Sequence, residues 1–171
     1  MTTASNFFQL FNLPVVHGID LVQLEAEYQR LSLETHPDFF STAPTEEQQE
    51  ALRQSAEVNE GYRILRSEPA RAAYLLALLA QATELDTTAL PAGFLEEMFF
   101  LQEELDDLES NNDQKRMAEL KSQITERLAL VGSSRAALFQ DALVNKTQAG
   151  LQAIQSNLNC EKYLQRLMAR L

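Results

Sequence analysis

Apolar residues along this chain recur mostly at steps of three and four, the period of an amphipathic helix. Phe7, Phe8, Leu10 and Phe11 fill one or two helical turns within residues 5–12, ended by Pro14. Four large apolar groups in so short a segment must be buried against something. Asp20 opens a second helix as N-cap, with Gln23 in the capping-box position, and Leu21, Leu24, Tyr28 and Leu31 form its apolar face. Pro37 ends that helix, because proline cannot continue it and pushes His36 out of the α region. After a connector over 39–44, Thr45 with Gln48 repeats the capping signature, and Leu52, Ser55, Val58, Tyr62 and Leu65 mark a returning helix. Two such helices joined by a loop of about ten residues pack antiparallel. Ser67-Glu68-Pro69 starts a short fourth helix running through Leu79, with Pro69 suited to a first turn.

The pattern changes over residues 81–93, where Thr, Asp, Pro and Gly replace the periodicity; this reads as a boundary between two units. Beyond it come three longer stripes. Phe94, Met98, Leu101, Leu105 and Leu108 form the first, and Asn111-Asn112 makes a turn. Asp113 caps a second helix carrying Met117, Leu120, Ile124, Leu128 and Val131 to about Leu143, which Gly132 is expected to kink or weaken at a cost of about 1 kcal/mol. Asn145 to Thr147 turns the chain again, and Leu151, Ile154, Leu158, Leu164 and Leu167 complete a third stripe. Three amphipathic helices with short turns imply an antiparallel three-helix bundle. No strand pattern and no internal repeat stands out, so the fold class is all-α.

Composition narrows the function. The 171 residues carry a net charge of −11, shared as 5 basic and 11 acidic side chains in residues 1–75 and 9 and 14 in residues 76–171. Such a surface repels nucleic acid, whose binding depends on neutralising phosphates with Lys and Arg, and it disfavours anionic membranes. A protein partner fits better. No apolar run reaches membrane-spanning length; the patch Leu75 to Ala80 is far short of the roughly 20 residues a span needs. No basic-then-apolar N-terminal stretch marks a secretory signal, and a single cysteine, Cys160, excludes an internal disulfide and fits a reducing, cytoplasmic setting.

Candidate chemistry is sparse. His36-Pro37-Asp38 presents an imidazole and a carboxylate on a loop between two helices, a good place for recognition; the alternative is that Pro37 and Asp38 merely end and cap a loop. Leu95, Phe99 and Phe100 fall off the seam of the first bundle helix. A bundle helix needs only part of its circumference buried, so some of them should face solvent as an apolar patch rimmed by Glu96, Glu103 and Asp107, which reads as a partner site. The alternative is that Phe99 and Phe100 pack under the connector or against the first unit. Cys160 reads as a buried thiol rather than a redox or metal ligand, and His17 as a solvated loop residue. There is no phosphate-binding glycine loop, nucleophile motif, zinc spacing or calcium loop, so neither an enzyme nor a metal or cofactor protein is expected.

A short apolar helix, a capped helix ending in His36-Pro37-Asp38, a connector and a long returning helix resemble a J-domain, the DnaJ-type co-chaperone module. The segment Gln54 to Leu65 is similar to its third helix. Pro69-Ala70-Arg71-Ala72-Ala73-Tyr74-Leu75-Leu76, the Phe94-Leu95 start and Glu103-Glu104-Leu105-Asp106 resemble the HscB family of iron–sulfur co-chaperones. The resemblance implies a J-domain over residues 1–78, a linker over 79–91 and a C-terminal, scaffold-binding three-helix bundle over 92–171. It implies no catalysis of its own: such proteins bind an IscU-type cluster scaffold and stimulate ATP hydrolysis by an HscA/DnaK-type chaperone. His36, Pro37, Asp38 and Arg30 would meet the chaperone; Leu95, Glu96, Phe99, Phe100, Glu103, Asp107 and Tyr163 would meet the scaffold. The chain departs from the pattern in two places. J-domains usually carry a basic second helix, whereas here Arg30 stands alone against Glu25, Glu27 and Glu34, and Phe39 follows Asp38 where lysine is common. Glu96 and Phe100 stand where the family can have an apolar and an acidic residue. Two rivals remain: a J-protein serving a general DnaK with another client, and a J-like adaptor without ATPase stimulation.

Overall fold

The computed structural model describes residues 6–81 and 83–171. Residues 1–5 of the expected J-domain and Ala82 of the expected linker lie outside the described residues. Among those described, every regular element is helical: α1 (Phe7–Leu10), α2 (Leu21–Glu34), a 3-10 turn (Pro37–Phe40), α3 (Thr45–Arg66), α4 (Glu68–Ala80), α5 (Phe94–Asn111), α6 (Gln114–Asn145) and α7 (Gln148–Met168). The all-α expectation is met. The chain divides into two compact units, Met1–Leu75 and Leu76–Leu171.

In the first unit, α2 and α3 pair as a hairpin and α1 packs across them. Asn6 caps α1 by accepting from the Gln9 amide, and Phe8 and Phe11 are fully buried. Tyr74 on α4 stacks on Phe7 with centroids 5.0 Å apart, and its hydroxyl accepts from the Phe7 amide at 2.9 Å. A Cβ at Gly61 would come within 2.9 Å of both the Phe7 and Phe11 rings, so glycine lets α1 lie directly on α3. Val58 and Leu65 of the expected stripe are buried on α3, where Ala51 and Gly61 join them, whereas Leu52 is exposed. Small residues set the close approach here, and a search for large apolar side chains passes over them. Asp20 caps α2 as expected, accepting from Val22 and Gln23, whereas the Gln23 side chain donates to the Asn12 carbonyl instead of closing the box. Pro44, not Thr45, is the N-cap of α3, and Gln48 donates to the Ser41 and Ala43 carbonyls, tying the connector to the helix.

His17 is not solvated. Its Nε2 lies 2.6 Å from Glu68 Oε1 with the imidazole largely buried. Arg71, also buried, donates to the carbonyls of His17 and Leu65, so one side chain satisfies both the loop after Pro14 and the end of α3.

The second unit is a three-helix bundle whose core joins Met98, Leu105 and Leu108 of α5, Leu120 and Ile124 of α6, and Leu164 and Leu167 of α7. Helix α6 runs unbroken through Gly132; Ser133 and Ser134 donate to the Leu130 and Val131 carbonyls. Arg135 is wholly buried and binds Glu161 at 2.6 Å and Asn157 at 2.8 Å. The segment after α4, expected as a linker, is stitched to α7. Asp86 and Gln152 exchange two 2.9 Å hydrogen bonds, and Asn159 donates to the carbonyls of Thr87 and Ala89. That cover accounts for the burial of Asn159 on α7; Cys160 beside it is buried too. Burial pushes the Cys160 thiol pKa up.

Candidate functional site

His36 caps the 3-10 turn: its Nδ1 accepts from the Asp38 amide at 3.3 Å, and Pro37 occupies the first position of the turn. A neutral imidazole accepting at Nδ1 carries its proton on Nε2. The Asp38 carboxylate lies 3.8 Å from Nδ1, with side-chain exposures of 52% for His36 and 90% for Asp38. The imidazole is therefore oriented by the backbone, and both groups are open to a partner. Phe39 stands beside them, 70% exposed, edge-on to the His36 ring at 5.9 Å.

Arg30 lies on α2, two helical turns before the loop's end, and makes no ion pair with it. Its Nη2 donates to Glu27 at 2.8 Å and its Nη1 to Glu34 at 2.7 Å, bonds that raise the guanidinium pKa. Two carboxylates on its own helix thus neutralise the only basic group of α2. The inner side of the hairpin holds a Tyr28–Tyr62 stack at 3.9 Å, with Glu25 accepting from the Tyr62 hydroxyl and Arg66 over the Tyr62 ring.

On α5 the seam faces inward as expected, and Leu95, Phe99 and Phe100 are all more than half exposed. At about 100° per residue they do not form one stripe. Leu95, Phe99 and Gln102 share one side with Met98 at its edge, and there they meet Tyr163, Arg166, Leu167 and Arg170 of α7 around a groove of about 330 Å³. Glu96 and Phe100 turn the other way, into a shallower depression with Pro91, Gly93, Phe94 and Glu104. Glu103 and Asp107 are exposed and line neither hollow. The structure therefore brings Leu95, Phe99 and Tyr163 together and separates Phe100 from them, although the Phe99 and Phe100 rings remain in edge contact at 6.1 Å. Tyr163 is held by Phe94 edge-on at 6.0 Å and by Arg166 over its face at 5.8 Å.

Sequence reasoning missed the basic wall of the groove, Arg166 and Arg170, and Gln102 opposite. The signal was present, since Arg166 follows Tyr163 by three residues and must share its face. No group of three or more His, Cys, Asp or Glu side chains among the described residues could hold a metal ion, and no described helix is long and apolar enough to cross a membrane.

No family model matches the chain. Solved structures do. The chaperone HscB from Vibrio cholerae superposes with a TM-score of 0.78 at 25% identity, over 96% of this chain and 93% of that one. The human co-chaperone protein HscB gives 0.81 at 23% identity, over 99% and 81%. This chain has the HscB fold. The likeness to HscB extends over both units, so the His36-Pro37-Asp38 turn and the α5–α7 groove both lie within the superposed part of the chain.

Proposed function

We propose that this HscB-type chain is a co-chaperone of iron–sulfur cluster assembly that binds an IscU-type scaffold and stimulates ATP hydrolysis by an HscA/DnaK-type chaperone. The observation that supports this best is the pairing of an exposed, backbone-fixed His36-Pro37-Asp38 turn in one unit with an exposed aromatic patch in the other. The turn acts on the ATPase by differential contact: His36 and Asp38 bind the hydrolysis-competent state of the chaperone more tightly and so shift it towards that state. Leu95, Phe99 and Tyr163 take an apolar part of the scaffold, with Glu96, Phe100, Glu103 and Asp107 completing the contact on the adjoining solvent face of α5. Arg30 adds to the chaperone contact. The chain forms and breaks no covalent bond, needs no resident cofactor and works in the cytoplasm.

The test is single-turnover ATP hydrolysis by a purified HscA-type chaperone with this protein added, with and without IscU-type scaffold. Stimulation that rises further with scaffold and is lost in His36→Gln supports the reading. Scaffold binding without any stimulation replaces it with the second reading, a J-like adaptor. That reading is favoured by one observation: Arg30 is already neutralised by Glu27 and Glu34, so α2 offers no free cation to steer an acidic chaperone.

A further inference from the structure

The second unit carries five arginines, and four of them are ion-paired within the unit. Arg116 pairs with Glu104, Arg127 with Glu97, Arg135 with Glu161, and Arg170 with both Asp106 and Glu109. Arg166 is the exception among the described residues. It lies over the Tyr163 ring in the wall of the α5–α7 groove and has no carboxylate partner, in a unit where acidic side chains outnumber basic ones by 14 to 9. Gln102, on the opposite wall, likewise makes no hydrogen bond among the described residues. The floor between them is apolar: Leu95, Met98, Phe99 and Leu167.

We infer that Arg166 is an anion anchor of the groove: it receives a carboxylate of the docked protein segment through a charge-assisted pair, with the Gln102 amide donating beside it. The occupant is therefore a segment of the scaffold with an apolar side chain for Leu95 and Phe99 and an Asp or Glu next to it. Charge complementarity argues for this. An unpaired guanidinium held in orientation by an aromatic face loses little freedom on binding, and its planar fork fits a carboxylate in two-point contact. Within an acidic unit, an intramolecular carboxylate at this one position would block the anchor. The inference rests on the scaffold-binding reading above and deepens it by naming what the partner must bring.

The experiment measures the affinity of the full-length protein for a purified IscU-type scaffold by calorimetry, at low and high salt. Arg166→Ala should weaken binding about tenfold, the loss expected of a hydrogen bond to a charged group. Arg166→Glu should weaken it more, and Arg166→Lys should recover only part, because the fork is gone. The salt dependence of the Arg166→Ala protein should be flatter than that of the parent. Arg116→Ala, outside the groove, serves as the control and should bind like the parent. One charge reversal of a scaffold carboxylate to lysine should restore binding to Arg166→Glu. If Phe99→Ala loses binding while all three Arg166 variants bind like the parent, the groove stands and the anchor is overturned. If Phe99→Ala also binds like the parent, the scaffold-binding reading itself has failed.

Discussion

His36 and Asp38 in the first unit stand on a short 3-10 turn closed by local hydrogen bonds, whereas Leu95 and Phe99 in the second stand on an 18-residue helix whose other face is core. The turn gets its shape from Pro37, from its backbone hydrogen bonds and from the helices on either side; His36 adds a single exposed cap bond and the Asp38 carboxylate adds none. The α5 patch shares one helix with the seam that holds the bundle, and a step of one residue separates Phe99 from Met98. The first unit can lose its functional groups without loss of structure. The second keeps function and folding apart only by rotation around one helix axis.

Substitutions can break this comparison, beginning with the largest effect. Leu105→Ala, on the wholly buried seam, should cost about 2–5 kcal/mol in denaturant unfolding, since it removes apolar burial and leaves a cavity. A cost near zero would mean that α5 is not anchored by its seam. Gly61→Val should cost about 1–3 kcal/mol by overpacking against Phe7 and Phe11. It should do so without altering the α5 patch, readable as unchanged scaffold affinity of the folded protein. Phe99→Ala, although large to small, should change stability by no more than about 0.5 kcal/mol, because Phe99 is already exposed. A loss as large as that of Leu105→Ala would show that Phe99 supports the bundle. His36→Gln should likewise leave far-ultraviolet circular dichroism and the unfolding midpoint unaltered within about 0.5 kcal/mol.

The smallest effect concerns Cys160. Burial holds its thiol pKa above the ordinary value, and the segment after α4 is bonded to the neighbouring Asn159, so the thiolate is scarce at neutral pH and alkylation should run slower than for a free thiol. Asn159→Ala, which frees the Thr87 and Ala89 carbonyls, should speed it. Equal rates in both proteins would show that this cover is not what shields the thiol.

Much of this arrangement was legible in the chain. Pro37 dictated a break between two helices, and the three- and four-residue spacing from Phe94 to Leu108 placed Leu95, Phe99 and Phe100 off the core seam. On α3 the pattern places Val58 and Leu65 inside but misses Ala51 and Gly61, which carry too little apolar surface to register, although smallness is what the packing of α1 requires at Gly61. His17 looked solvated because its partner, Glu68, lies 51 residues away, and no local spacing encodes such a contact.

The sequence by itself determined where helices start and stop and which side of each is apolar, since capping, proline and periodicity act within one or two turns. Tertiary structure alone decided which polar groups are consumed and which stay available. Arg135 is buried against Glu161, Arg170 is taken up by Asp106 and Glu109 of α5, and Arg166 is left unpaired beside Tyr163. Charge pairing depends on distances of a few ångströms across packed helices, and a list of residues fixes the number of charges but not which of them meet.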